Sequence, residues 1–186
     1  MKSSIQKQTF ESIFRLLDEV SPIDGDCGQL CGASCCTCQD PEMGLYLLPG
    51  EDKIYTREED WLSWEHCRAE DYEFPDSWHG KVYFLKCKKA PFCDRKKRPL
   101  QCRTFPLAPH LDEDGALFLI YNSSPLPYEC PLITQQIPLN RDFIEATYSA
   151  WLQLVQDPLI YDLVEMDSDF RIEDGEPINI VYPVIE

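Results

Sequence analysis

The stretch CGQLCGASCCTC, residues 27–38, places five cysteines within twelve positions of a 186-residue chain. Three more cysteines, Cys87, Cys93 and Cys102, follow in a short basic segment. Thiolates are soft ligands that select zinc, copper(I) or iron–sulfur clusters. Thiols at this density either bind metal or form disulfides, and the choice between the two determines what the chain can do.

Composition favours a folded cytoplasmic protein. The 186 residues are 44% hydrophobic and 12% aromatic, which is typical of one globular domain rather than a disordered chain. The first residues, MKSSIQKQTFESIF, lack the apolar core of a signal peptide, and no apolar run is long enough to cross a bilayer. The cytoplasm is reducing, so structural disulfides are uncommon there and metal is favoured over disulfides or redox thiols.

The cysteine spacing strongly indicates a metal site and weakly indicates which metal. The steps Cys27-x3-Cys31-x3-Cys35 match neither the C-x2-C knuckles of a zinc ribbon nor the run of bacterial ferredoxins. Cys35 and Cys36 are adjacent, so this pair can serve two centres or supply a single ligand. Eight clustered thiols therefore allow two four-thiolate sites or one multinuclear cluster, with zinc or an iron–sulfur cluster as the cofactor.

Hydrophobic periodicity predicts an α+β fold with small antiparallel sheets and terminal helices, organised around irregular Cys-rich metal-binding loops. One short helix is expected near Trp61 because Thr56 and Glu59 resemble a capping box. The predicted helices lie at 4–20, 61–64, 140–155 and from 159 onward, and the predicted strands at 45–48, 81–86, 116–121 and 178–185.

Segment 24–44 contains four glycines and almost no bulky apolar residue, so we expect a loop whose shape is imposed by a ligand. The whole chain, 1–186, is expected to be a single domain. Within it, 27–106 is the predicted cysteine-cluster metal-binding core, and 137–186 is a C-terminal helical segment with a final strand.

Charge is distributed unevenly along the chain. The net charge is −16, yet eight of the seventeen basic residues lie between Lys86 and Arg103 with one acid, Asp94, so that segment carries +7 and the rest −23. We expect this segment to offset the charge of an anionic thiolate centre; a solvated basic loop and a nucleic-acid contact are the alternatives. The overall negative field disfavours nucleic acid as a partner.

The nine residues RPLQCRTFP, 98–106, together with CGQLCGASCC, resemble a known family. They look like the cysteine-cluster family of zinc- or iron-chelating proteins, the CxxCxxCC or YkgJ-type proteins. Members have an N-terminal cysteine knot ending in a Cys-Cys pair, and a distal cysteine within an R-P-x-x-C-R-x-F-P element. The resemblance covers about residues 27–106. This chain has three-residue gaps where the family name implies two, and it adds Cys38.

The resemblance implies a metal-binding protein whose biochemical activity is unassigned. It implies that Arg98 and Arg103 hydrogen-bond sulfur or fix the loop. The family includes an iron–sulfur enzyme, the flagellin lysine methylase, so redox or methyl-transfer chemistry is the alternative function. The implied metal ligands are Cys27, Cys31, Cys35, Cys36, Cys87, Cys93 and Cys102.

Other ligand-type residues carry less signal. Cys67 and Cys130 stand apart from both groups and are expected to act as small buried hydrophobes, with Cys130 as an alternative extra ligand. The histidines show no metal-binding spacing, and His110 is the outside candidate among them. The sequence has no phosphate loop, dinucleotide fingerprint or nucleophile elbow, so a nucleotide enzyme is not expected.

Overall fold

A computed structural model describes residues 3–37, 44–88 and 90–183, and it confirms the predicted α+β class. Two three-stranded antiparallel sheets form within these residues. The first has the order β1 (Leu45–Tyr46), β3 (Lys81–Cys87), β2 (Leu62–Arg68). The second has the order β4 (Leu107–Leu111), β5 (Leu117–Tyr121), β6 (Ile180–Tyr182).

Helices flank the sheets, and none of the described helices is both long and apolar enough to cross a membrane. Short helices of four or five residues carry or adjoin most of the cysteines, whereas the long ones form the core. The described α-helices are α1 (Lys7–Asp18), α2 (Gly28–Cys31), α3 (Ser34–Thr37), α4 (Leu100–Thr104), α5 (Pro131–Thr134), α6 (Arg141–Leu154) and α7 (Pro158–Glu173).

The main core lies between α1, the second sheet and the C-terminal helices. Helix α1 places Phe10, Ile13, Phe14 and Leu17 on one buried face, as the three- and four-residue steps predict. Helix α7 begins as expected, because the Asp157 carboxylate accepts a hydrogen bond from the backbone of the first turn and Pro158 follows it.

The predicted helix near Trp61 is wrong. Glu59 does accept hydrogen bonds from the backbone and hydroxyl of Thr56, both at 3.0 Å, but these close a turn. The chain continues as β2, which pairs with β3 from Leu62 to Arg68. A local capping signal is outweighed here by seven residues of cross-strand pairing and by burial of Trp61 and Leu62.

Two other expectations differ from the structure. Strand β4 was not predicted: its residues are buried throughout and include Pro109, so they show no alternation. Segment 24–44, predicted as a loop, forms two single helical turns, α2 and α3, within its described part. Cys38 and the end of the predicted final strand, 184–185, lie outside the described residues.

A buried carboxylate joins the first sheet to the second cysteine segment. Glu51 is fully buried and accepts a backbone hydrogen bond from Leu48 at 3.1 Å and another from Leu100 at 2.8 Å. The second bond fixes the start of α4, which carries Cys102. Burial raises the pKa of Glu51 to about 7. The two backbone hydrogen bonds favour the charged carboxylate and so offset only part of this rise.

Glu51 should make stability depend on pH. The folded protein retains its proton where the unfolded chain has released it, so the contribution of Glu51 to the unfolding free energy falls as pH rises from about 4.5 to about 7. Between pH 4.5 and pH 8, the difference in unfolding free energy between E51Q and wild type should change by roughly 3 kcal/mol in favour of E51Q. Denaturant titrations across this range measure the difference. The control is E58Q, which changes an exposed carboxylate nearby and should show no such trend. If the difference in unfolding free energy between E51Q and wild type does not change with pH, the role of Glu51 is contradicted.

Candidate metal centre

The N-terminal cysteines are presented by a reversal of the backbone between two helical turns. Gly32 and Ala33 both have left-handed conformations, with φ of 63° and 57°. They end α2 and allow α3 to begin at once, and the Ser34 hydroxyl donates to the Cys31 carbonyl oxygen at 2.6 Å. A left-handed alanine costs roughly 1–2 kcal/mol, so neighbouring contacts must hold this reversal in place.

A small cavity lies against this double turn. The rings of Phe105 and Tyr128 form part of its wall, with centroids 6.2 Å apart in an edge-to-face arrangement. Its volume is about 30 Å³, about the space that one water molecule occupies in the liquid. The cysteines that line it are Cys27, Cys31, Cys35 and Cys130.

A second group of thiols surrounds Arg98. Cys87 ends β3, Cys93 lies in the following loop and Cys102 lies in α4. The Arg98 guanidinium Nε donates to the Cys93 sulfur at 3.0 Å. Arg98 also lies within electrostatic range of Cys36 and Cys102, so the two cysteine stretches meet in space at this residue.

The Cys35 and Cys36 sulfurs connect the two groups. Their separation is 3.9 Å. The two groups of thiols are therefore adjacent at this pair. The hydrogen bond between the two sulfurs lowers the pKa of Cys36, as Arg98 does further, and raises the pKa of Cys35.

Arg103 holds the second cysteine segment against α1. Its guanidinium forms an ion pair with Asp18, donates to the Phe14 carbonyl oxygen at 3.3 Å, and lies 4.1 Å from the centre of the Phe14 ring. It also donates to the carbonyl oxygens of Arg98, at 2.6 Å, and Arg95, at 3.1 Å. The expected roles are therefore divided: Arg98 bonds sulfur and Arg103 fixes the loop.

Much of the remaining basic charge is used for anchoring within the protein. Lys97 lies 3.5 Å from the buried carboxylate of Glu59, and Arg95 donates to the Val20 carbonyl oxygen at 2.8 Å. Lys86 lies 3.1 Å from Glu65. These contacts favour a structural and charge-balancing role for segment 86–103 over an open nucleic-acid surface.

The donor set suits a thiophilic metal, although the thiols are not placed at coordination distances. The described cysteines are free thiols, without disulfides among them. Within 3–37, 44–88 and 90–183, no group of three or more Cys, His, Asp or Glu side chains is close enough to hold an ion. Ligation of a metal by these thiols would therefore require side-chain rotations.

Every described cysteine among the predicted ligands belongs to one of the two groups. Cys130 is buried, as expected, and it also lines the cavity, just before the start of α5. The sequence signal for it was weak because only the fold brings residue 130 beside residues 27–35. Cys67 lies on β2 with Asp71 as its charged neighbour, and His110 lies on β4 among Arg171, Asp112 and Asp169.

Comparison of the chain with protein-family models, with curated proteins and with solved structures finds no match. The resemblance to the cysteine-cluster family therefore stays a prediction that rests on the motifs at 27–36 and 98–106.

We predict that R103M lowers the unfolding free energy by about 3 kcal/mol, because Asp18 and two loop carbonyl groups lose a buried charged donor. R103K should recover only part of this loss, since one ammonium cannot reach all of the acceptors. Urea denaturation measures both. R141M, which removes an exposed ion pair with Glu145, is the matched control and should leave stability unchanged. A loss below about 1 kcal/mol for R103M would contradict the anchoring role.

Proposed function

We propose that this chain is a cytoplasmic metal-binding protein whose cysteine cluster ligates zinc or an iron–sulfur centre, and that the bound centre organises the region 27–106. The observation that carries the proposal is the convergence of two distant cysteine stretches on Arg98, which donates directly to a sulfur. No biochemical activity is assigned beyond this binding.

The energetic argument comes from the poor packing of the first cysteine stretch. Helices α2 and α3 have four residues each and contribute no buried residue. Isolated single turns are unstable in water, because helix nucleation is unfavourable. Structural zinc contributes roughly 10–16 kcal/mol of apparent binding free energy in small peptides, which is ample to hold such turns.

The thiol environment predicts proton release on binding. Burial raises the pKa of the thiols of Cys27, Cys87, Cys102 and Cys130. Because a thiol must lose its proton to ligate a metal, affinity should increase with pH. A bound cation supplies the charge that makes these partly buried thiolates favourable.

An iron–sulfur centre with a redox role is the second candidate. The Arg98 donation to the Cys93 sulfur favours it, because hydrogen bonds to cluster sulfurs tune reduction potentials. Methyl transfer, the other enzymatic alternative, is supported only by the resemblance to a family that includes the flagellin lysine methylase.

Metal removal should unfold the region that contains the cysteines. We expect chelation to abolish a cooperative thermal transition that the metal-loaded protein shows, because α2 and α3 lose their main source of stability. Calorimetry before and after chelation, with elemental analysis, measures this. C102S should reproduce part of this loss, whereas C67S, which changes a thiol on β2, should leave the transition unchanged. An apo protein that melts like the loaded one would refute the proposal.

Substitution of Arg98 tests whether the bound centre is an iron–sulfur cluster rather than zinc. In an iron–sulfur protein, R98M should lower the reduction potential by tens of millivolts, since the reduced cluster loses a positive neighbour and a hydrogen bond. Voltammetry on protein kept from air measures the shift. A colourless protein with stoichiometric zinc would exclude the redox candidate, and R141M serves as a charge-matched control.

A further inference from the structure

We infer that the thiols form two separate four-sulfur centres, lying side by side, rather than one multinuclear cluster. This inference rests on the proposed metal binding. It assigns Cys130, which the ligand prediction left out, to the first centre. The first centre consists of Cys27, Cys31, Cys35 and Cys130, and the second of Cys36, Cys87, Cys93 and Cys102.

The cavity argues for a single ion in the first centre. Four cysteines line one small cavity, and four thiolate sulfurs around one space make up the ligand set of a single tetrahedral ion. Phe105 and Tyr128 contribute to the wall, and Cys130 is only 7% exposed. A closed set of four thiolates is the arrangement of structural zinc sites.

The second group has different surroundings. Cys102 has Cys87, Cys36 and Cys93 as its thiol neighbours, and none of these four lines the cavity. Arg98 donates to Cys93, so this centre has a cationic hydrogen-bond donor beside its sulfurs. The two sets of four therefore differ in the residues around them and in the charge beside their sulfurs.

The boundary between the centres is the Cys35–Cys36 pair. Successive residues of a helical turn point about 100° apart, so neighbouring thiols on α3 can face two different ions. Cys35 lines the cavity and interacts with Cys27, whereas Cys36 interacts with Arg98. Their sulfurs are 3.9 Å apart, and Cys35 is also influenced by Cys102, so the centres are adjacent.

Zinc stoichiometry of purified full-length variants tests the inference. Wild type and C67S reconstituted with zinc(II) in the absence of air should each bind about two ions per chain, by elemental analysis and native mass spectrometry. C130S and C87S should each bind about one, and the double variant about none, because each substitution opens one four-thiolate site.

Wild-type protein gives an independent readout that needs no variant to fold. A zinc chelator is added until about half of the ions are released, free thiols are alkylated, and the labelled cysteines are identified by mass spectrometry. The labels are located on intact chains that have lost one ion. Two centres predict that each such chain carries four labels, all within one group, whichever centre releases its ion first.

The outcomes separate this inference from the proposed function. Wild type that binds no metal would refute metal binding itself. Wild type that binds metal but loses all of it in both C130S and C87S would overturn the two-centre assignment and leave metal binding intact. Chains that retain one ion but carry labels distributed over both groups would overturn the assignment in the same way.

Discussion

The guanidinium of Arg103 is the contact on which the thiol region depends. It ties α1 to the loop before α4 through Asp18, Phe14 and two loop carbonyl oxygens. One of those oxygens belongs to Arg98, whose own side chain reaches the Cys93 sulfur. Burying a guanidinium is costly unless each donor finds an acceptor, and here the loop backbone supplies several of them. The loop geometry and the sulfur environment are thus set by one residue.

Charge in this protein is concentrated where it has structural use. A chain of net charge −16 places its cations in one segment, and that segment contacts acids, carbonyl oxygens and a sulfur within the same fold. The buried Glu51 carboxylate also contacts this segment, and it accepts hydrogen bonds from backbone N–H groups instead of pairing with a cation. Both kinds of contact hold α4: Glu51 accepts a hydrogen bond from its first residue, Leu100, and Arg103 lies within the helix. The short helix with Cys102 is therefore positioned by these polar contacts together with the burial of Leu100.

Local signals were enough to predict α1 and α6 from the spacing of their apolar residues, and α7 from its Asp-Pro start. They also predicted strands that overlap 45–48, 81–86 and 116–121. They failed where distant partners decide the conformation. The residues after the capping signal at Thr56 and Glu59 form strand β2 because they pair with β3. Strand β4 is buried throughout, so its sequence shows no alternation of apolar and polar residues. The same limit explains the site: residues 27–36 and 87–102 were conspicuous by density, whereas Cys130 is a single cysteine that only the fold brings to the cavity.

The left-handed pair at Gly32 and Ala33 also constrains how this chain can change in length during evolution. Each added or deleted residue in a helical turn rotates everything after it by about 100°. An insertion between Cys31 and Cys35 would turn Cys35 away from the cavity and Cys36 away from Arg98 together. Homologues that keep the same thiols should therefore preserve this interval and accommodate indels elsewhere, such as at the exposed turn 112–115.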